Sequence, residues 1–231
     1  MLFIGNSLTY VNDVPGILQA LADAAGGEKL AIETLGVPDY ALIDHWIDGA
    51  AQKEIDKGGW AYVVMQQGWT PAGVCRDTLR LAATLFSQHI SKIGAKPVMF
   101  EPWVPAARAS ANQFLTSMES YRLAAKDVGG IVFPVAEAWL EATSRNPDLN
   151  LYSDGLHATS AGSYLAALVM YTRLFNRSPV GLPSSLTTSS GARISIDTGT
   201  AKLLQEVARD VGLAPTPPAD ATTEPYITSR C

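Results

Sequence analysis

Short apolar runs that stop at glycine or at a polar turn alternate along this chain with stretches of helical periodicity, and no other feature limits its fold so closely. The clearest run, Tyr62-Val63-Val64-Met65, is apolar without interruption and opens into Gln66-Gln67-Gly68. A strand covered on both faces of a parallel sheet has that pattern. Residues 2–4 form a similar run ending at Gly5-Asn6-Ser7; 29–35 read as a second strand ending at Gly36, 97–101 as one ending at Glu101, and 131–135 as a fifth. Helical spacing is read over about 14–25, 41–55, 76–93, 111–128, 158–175 and 198–211, with glycine stops at Gly26-Gly27, Gly58-Gly59 and Gly129-Gly130. Five strands alternating with helices predict the α/β class, a three-layer α/β/α sandwich around a parallel sheet with right-handed crossovers. Ligands in such sheets bind beyond the carboxyl ends of the strands, so the turns at Gly5 to Ser7, Gly36, Gln66 to Gly68 and Glu101 should share one edge.

Composition narrows the chemistry. With 231 residues, 47% hydrophobic and 17% charged, the chain can bury one large core. A formal net charge of -5 argues against nucleic acid or an anionic membrane surface as partner and favours a small, uncharged substrate. No apolar run approaches the roughly 18 to 20 residues of a membrane-spanning helix. Cys75 and Cys231 are read as two unpaired thiols, and His45, His89 and His157 follow no metal-ligand spacing, so neither a metal nor another cofactor is expected.

Ser7 directly follows a strand, where its hydroxyl would be held at the sheet edge. Asp154 and His157, spaced i, i+3 in one loop ahead of a helix, allow a carboxylate to bind imidazole Nδ1–H and leave Nε2 free to accept a proton. Each alone has an ordinary reading as a cap, turn or packing residue. Together they suggest a nucleophile and its oriented base.

At these residues the chain resembles a known family. Phe3-Ile4-Gly5-Asn6-Ser7-Leu8-Thr9 is similar to the first block of the SGNH, or GDSL-type, hydrolases, and Asp154-Gly155-Leu156-His157 to their last block, DxxH. The order of serine early, then Asp and His late, differs from that of α/β-hydrolases. The resemblance spans roughly residues 2–176 and is strongest to a bacterial subgroup with GNS in place of GDS. It implies a five-stranded, flavodoxin-like parallel sheet and a serine esterase in which Ser7 attacks, His157 carries the proton and Asp154 orients His157. It also implies an oxyanion hole from the Ser7 N–H, a glycine N–H after the second strand, best matched by Gly36, and a side-chain amide after the third. Since Gln66-Gln67-Gly68 stands where the family has GxN, Gln66 is the expected amide donor and Gln67 the second choice.

Around this frame, Asn6 reads as a structural hydrogen-bonder. Tyr10 and Asn12 line the mouth or anchor the loop, and His45 is structural or touches substrate. Trp69, Trp103 and Tyr152, with Tyr10, are the candidate substrate-binding aromatics, with core or rim packing as the other reading. The expected substrate is a short-chain acyl ester, an O-acetyl group on a carbohydrate above all. The alternative is a non-catalytic carbohydrate-binding protein on the same scaffold. Residues 1–178 are expected to form the hydrolase domain, 179–213 an extension whose final helix packs on it, and 214–231 a proline-rich tail. As written the chain shows no export signal and reads as cytoplasmic, or as periplasmic or secreted if a leading segment was removed.

Overall fold

A computed structural model describes residues 1–27, 29–219 and Thr228. Its centre is a sheet of five parallel strands, β1 (Leu2–Gly5), β2 (Glu33–Gly36), β3 (Tyr62–Met65), β4 (Lys96–Phe100) and β5 (Ile131–Phe133), in the order β2-β1-β3-β4-β5. Alternate residues supply opposite faces, because successive side chains of a strand point to opposite sides. Phe3, Val64, Val98, Phe100 and Phe133 enter one core. Leu2, Ile4, Val63, Met65, Met99 and Val132 enter the other.

The first face is covered by α2 (Val14–Ala24), α7 (Val135–Arg145), α8 (Ser160–Phe175) and α9 (Thr198–Leu213). The second is covered by α3 (Leu42–Asp48), α4 (Ala50–Asp56) and α5 (Val74–Lys92), while α6 (Ala111–Asp127) contributes to both cores. A four-residue helix, α1 (Ser7–Tyr10), and a 3-10 turn (Val11–Asp13) join β1 to α2. The crossovers change face after β1, so the crevice between β1 and β3 lies at the topological switch point of the sheet.

Several expected elements differ. The helix expected over 41–55 is two helices, broken at Gly49, whose φ of 82° is the left-handed region open to glycine. The second strand is only Glu33–Gly36. The fifth ends at Phe133, and α7, not read from sequence, starts at once behind Pro134. The Ser/Thr-rich segment after α8 contains a hairpin, β6 (Ser185–Thr187) with β7 (Arg193–Ser195). Ala201, Leu204, Val207 and Ala208 of α9 are buried in the first core, so this helix is part of the domain wall. Of the tail, 214–219 lie along the molecule, with Arg173 donating to Ala214 O and Lys126 to Ala219 O.

Cys75 is disulfide-bonded, which corrects the expectation of a free thiol there. That expectation rested on distance along the chain, which sets no limit on distance in space. Cys231 and most of the tail lie outside the described residues. No helix among the described residues is long and apolar enough to cross a membrane.

Candidate active site

Ser7 begins α1, immediately beyond the carboxyl end of β1. Asn6 is extended (φ -121°, ψ -157°) and its Oδ1 caps α1 by accepting the Leu8 N–H at 3.1 Å. Ser7 therefore occupies the first helical position, where a backbone N–H has no intrahelical acceptor.

The loop between α7 and α8 approaches from the other end of the sequence. Tyr152 pairs with Ala158 in an antiparallel bridge and Ser153 N–H donates to His157 O at 2.9 Å, closing a tight loop around Gly155, whose φ is 86°. Asp154 Oδ1 accepts the backbone N–H groups of Leu156 (2.9 Å) and His157 (2.7 Å), and Asp154 Oδ2 lies 2.7 Å from His157 Nδ1. His157 Nε2 lies 2.9 Å from Ser7 Oγ, across 150 residues of sequence. The hydrogen bond from the His157 ring, followed by those from the two backbone N–H groups, holds the Asp154 carboxyl well below the usual carboxylate range, so it stays ionised although exposed. An ionised Asp154 assigns the proton to Nδ1 and leaves Nε2 as acceptor for the serine hydroxyl.

Asn12 joins the two ends directly. Its Nδ2 donates to Ala158 O at 2.9 Å and to Ser163 Oγ at 3.1 Å, from a left-handed backbone (φ 58°) in the turn before α2. Of its two expected roles, the structure gives it the anchoring one.

Gln66 is fully buried and both its amide hydrogens are committed, one to Asn6 Oδ1 at 3.1 Å and one to Gln67 O. Its Oε1 accepts the Asn6 N–H (3.0 Å) and the Thr9 hydroxyl (2.7 Å). Reversing the amide would set its oxygen against two acceptors, so the network fixes the orientation. The expectation that Gln66 points an amide at the substrate is corrected: it ties the end of β3 to the turn that carries Ser7. Gln67, also buried, accepts the Leu42 N–H and donates to Thr70 Oγ1. The glycine at position 5 is required by this network, since a Cβ there would lie 2.5 Å from Gln66 Oε1.

Gly36 ends β2 beside Gly5, and the next residue, Val37, donates its N–H to Gly5 O at 3.0 Å. Because N–H groups alternate sides along a strand, the N–H of Gly36 turns to the outer side of this edge strand instead of toward Ser7. The glycine serves packing: a Cβ at 36 would sit 2.6 Å from Tyr10 Cδ1. Asn6 Nδ2 donates to Tyr40 O at 3.0 Å and so pins the loop 37–40 over the serine turn. An aspartate at position 6 could not make that bond.

The aromatic candidates separate. Trp103 is 1% exposed, stacks on Trp139 at 4.4 Å and donates its indole N–H to Leu156 O at 2.7 Å. It is a core residue supporting the Asp154-to-His157 loop, which corrects its place among the substrate contacts. Tyr152 is half-buried against Trp139, and its hydroxyl donates to Val104 O at 2.6 Å, so it braces the same loop. Tyr10 is exposed at the rim. Trp69 is half-buried, with the Arg108 guanidinium 4.9 Å from its ring centre. His45 is fully buried with Nε2 2.9 Å from Gly5 O, and burial lowers its pKa, which makes it a structural, neutral imidazole. The supporting roles of Thr9 and Trp103 could not be read from sequence, because each depends on contact with a residue more than fifty positions away.

No protein-family model matches the chain, and no curated protein matches it. Solved structures do. A Slackia heliotrinireducens protein assigned to the SGNH hydrolases aligns with a TM-score of 0.61 at 26% identity over 75% of this chain and 97% of that one. A lipase/acylhydrolase from Enterococcus faecalis aligns at 0.57 with 18% identity over 76% and 95%. An acetyl xylan esterase aligns at 0.55 with 16% identity over 74% and 98%. With its five parallel strands, its helices on both faces and these neighbours, the chain has the fold of the SGNH, or GDSL-type, hydrolases.

Proposed function

We propose that this protein is a serine esterase that hydrolyses short-chain acyl esters, with O-acetyl groups on carbohydrates as the substrate class. The observation that carries the reading is the unbroken chain from Asp154 through His157 to Ser7, with links of 2.7 and 2.9 Å. Ser7 Oγ attacks the ester carbonyl while His157 Nε2 takes its proton. The tetrahedral intermediate expels the alcohol, which receives that proton, and leaves an acyl-serine. Water, deprotonated by His157, then releases the acid and restores the hydroxyl. The ionised Asp154 stabilises the imidazolium formed in each half. The negative oxygen is met by the Ser7 backbone N–H. The preference for acetyl rests on the likeness in fold to an acetyl xylan esterase.

Replacing Ser7 with Ala should abolish hydrolysis of p-nitrophenyl acetate while circular dichroism and the melting temperature stay unchanged. A fluorophosphonate should label the parent protein and not the variant. Unchanged turnover in Ser7→Ala would sink the reading, and an unlabelled parent protein would favour a carbohydrate-binding role without catalysis.

A further inference from the structure

The loops ringing the carboxyl edge of the sheet, residues 6–13, 37–41, 66–73, 101–110 and 146–159, contain a single Lys or Arg, which is Arg108. It ends a 3-10 turn (Ala106–Arg108) that touches the candidate site, because Ala106 donates its N–H to Gly155 O at 2.8 Å, between Asp154 and His157. The Arg108 side chain is exposed and lies over Trp69, which follows the β3 exit three residues after Gln66. No carboxylate among the described residues pairs with it: Asp154, in the adjoining loop, is committed to the His157 ring and two backbone N–H groups. Beneath the guanidinium, Trp69 Nε1 is buried and has no acceptor among the described residues. This corner of the rim thus presents a guanidinium that no carboxylate among the described residues neutralises, over an indole whose buried N–H has no acceptor among them. Arg108 occupies one face of the ring, which a sugar could not stack on without displacing it.

We infer that Arg108, seated on Trp69, is a specificity residue that recognises a carboxylate on the substrate near the scissile ester, as in an acylated uronic acid or another acyl ester of a hydroxy acid. A guanidinium binds a carboxylate through paired N–H donors, and the aromatic platform limits the side-chain freedom lost when it does so. The inference rests on the esterase reading and narrows its substrate class.

The test compares 3- and 4-acetoxybenzoate with their neutral methyl esters in the parent protein, Arg108→Gln, Arg108→Glu and Ser7→Ala. The readout is the kcat/KM ratio of each charged ester to its neutral partner, which cancels general damage to the site. For at least one isomer the ratio should fall about five- to tenfold in Arg108→Gln and further in Arg108→Glu, as for loss of a charged hydrogen bond at an exposed site. In the parent protein added salt should lower it. Equal ratios in all three active proteins would overturn the carboxylate inference and leave the esterase reading intact. If the parent protein cleaves none of the esters, or Ser7→Ala cleaves them equally well, the esterase reading fails and the inference with it.

Discussion

Gln66 shows how a residue chosen for its chemistry is reassigned by its surroundings. A glutamine after the third strand has the donors an oxyanion requires, but those hydrogens end on Asn6 and Gln67. Residue type was legible in the sequence. The destination of each hydrogen was not, because it depends on Gly5, Asn6 and Thr9 arriving from the end of β1 and the helix behind it, about sixty residues away. Ser7, Asp154 and His157 were legible because two of them share one short loop and the third sits at a strand exit. Glu101, at the end of β4, is a different case. It is fully buried, and burial, reinforced by the Glu137 charge, pushes its pKa up to about 8 against the pull of Arg122, the Glu137 backbone N–H and Arg173. The unfolded chain releases this proton near the ordinary glutamate pKa and the folded chain keeps it, so stability falls as pH rises through that window. The slope is up to about 1.4 kcal/mol per pH unit. Glu101→Gln removes the titration, and its stability relative to the parent protein should climb between about pH 5 and 8 in urea denaturation. A difference that stays flat over that range would mean that Glu101 is ionised in the fold.

At the scale of elements, the turn of residues 11–13 matters more than its length suggests. Asn12 and Asp13 are both left-handed, and each compensates through its side chain. Asp13 caps α2 through the Gly16 N–H at 3.0 Å and accepts the Ser190 hydroxyl, while Asn12 binds the first turn of α8 and the residue after His157. Asn12→Gly keeps the backbone conformation and cuts the tie, so kcat on p-nitrophenyl acetate should drop by about ten- to a hundredfold with KM and melting temperature little changed. A raised KM at constant kcat would place Asn12 in substrate binding instead. Four of the five strands were readable as apolar runs between breakers, whereas β2, Glu33–Gly36, is mixed and was located by the glycine that ends it. Helix α7 was hidden because Pro134 gives no side-chain cap and Val135 continues the apolar run of β5. The β6–β7 hairpin was hidden because its three-residue strands alternate serine, threonine and arginine with single apolar residues.

At the scale of the molecule, the boundary expected near residue 178 does not divide the core. Leu204 is fully buried within the same cluster as Phe3 and Phe133, so Leu204→Ala should cost about 2 to 5 kcal/mol in denaturant unfolding. A loss under ~1 kcal/mol would show that α9 is only loosely applied to the domain. The contact between His157 and Ser7, 150 residues apart, also sets a schedule. At typical rates of synthesis Ser7 leaves the ribosome about 8 to 30 s before His157. Until then it is an ordinary hydroxyl at the end of a strand, with nothing to draw off its proton. On the esterase reading, acylation of Ser7 would thus wait until the loop carrying His157 docks against the end of β1, late in the making of the chain.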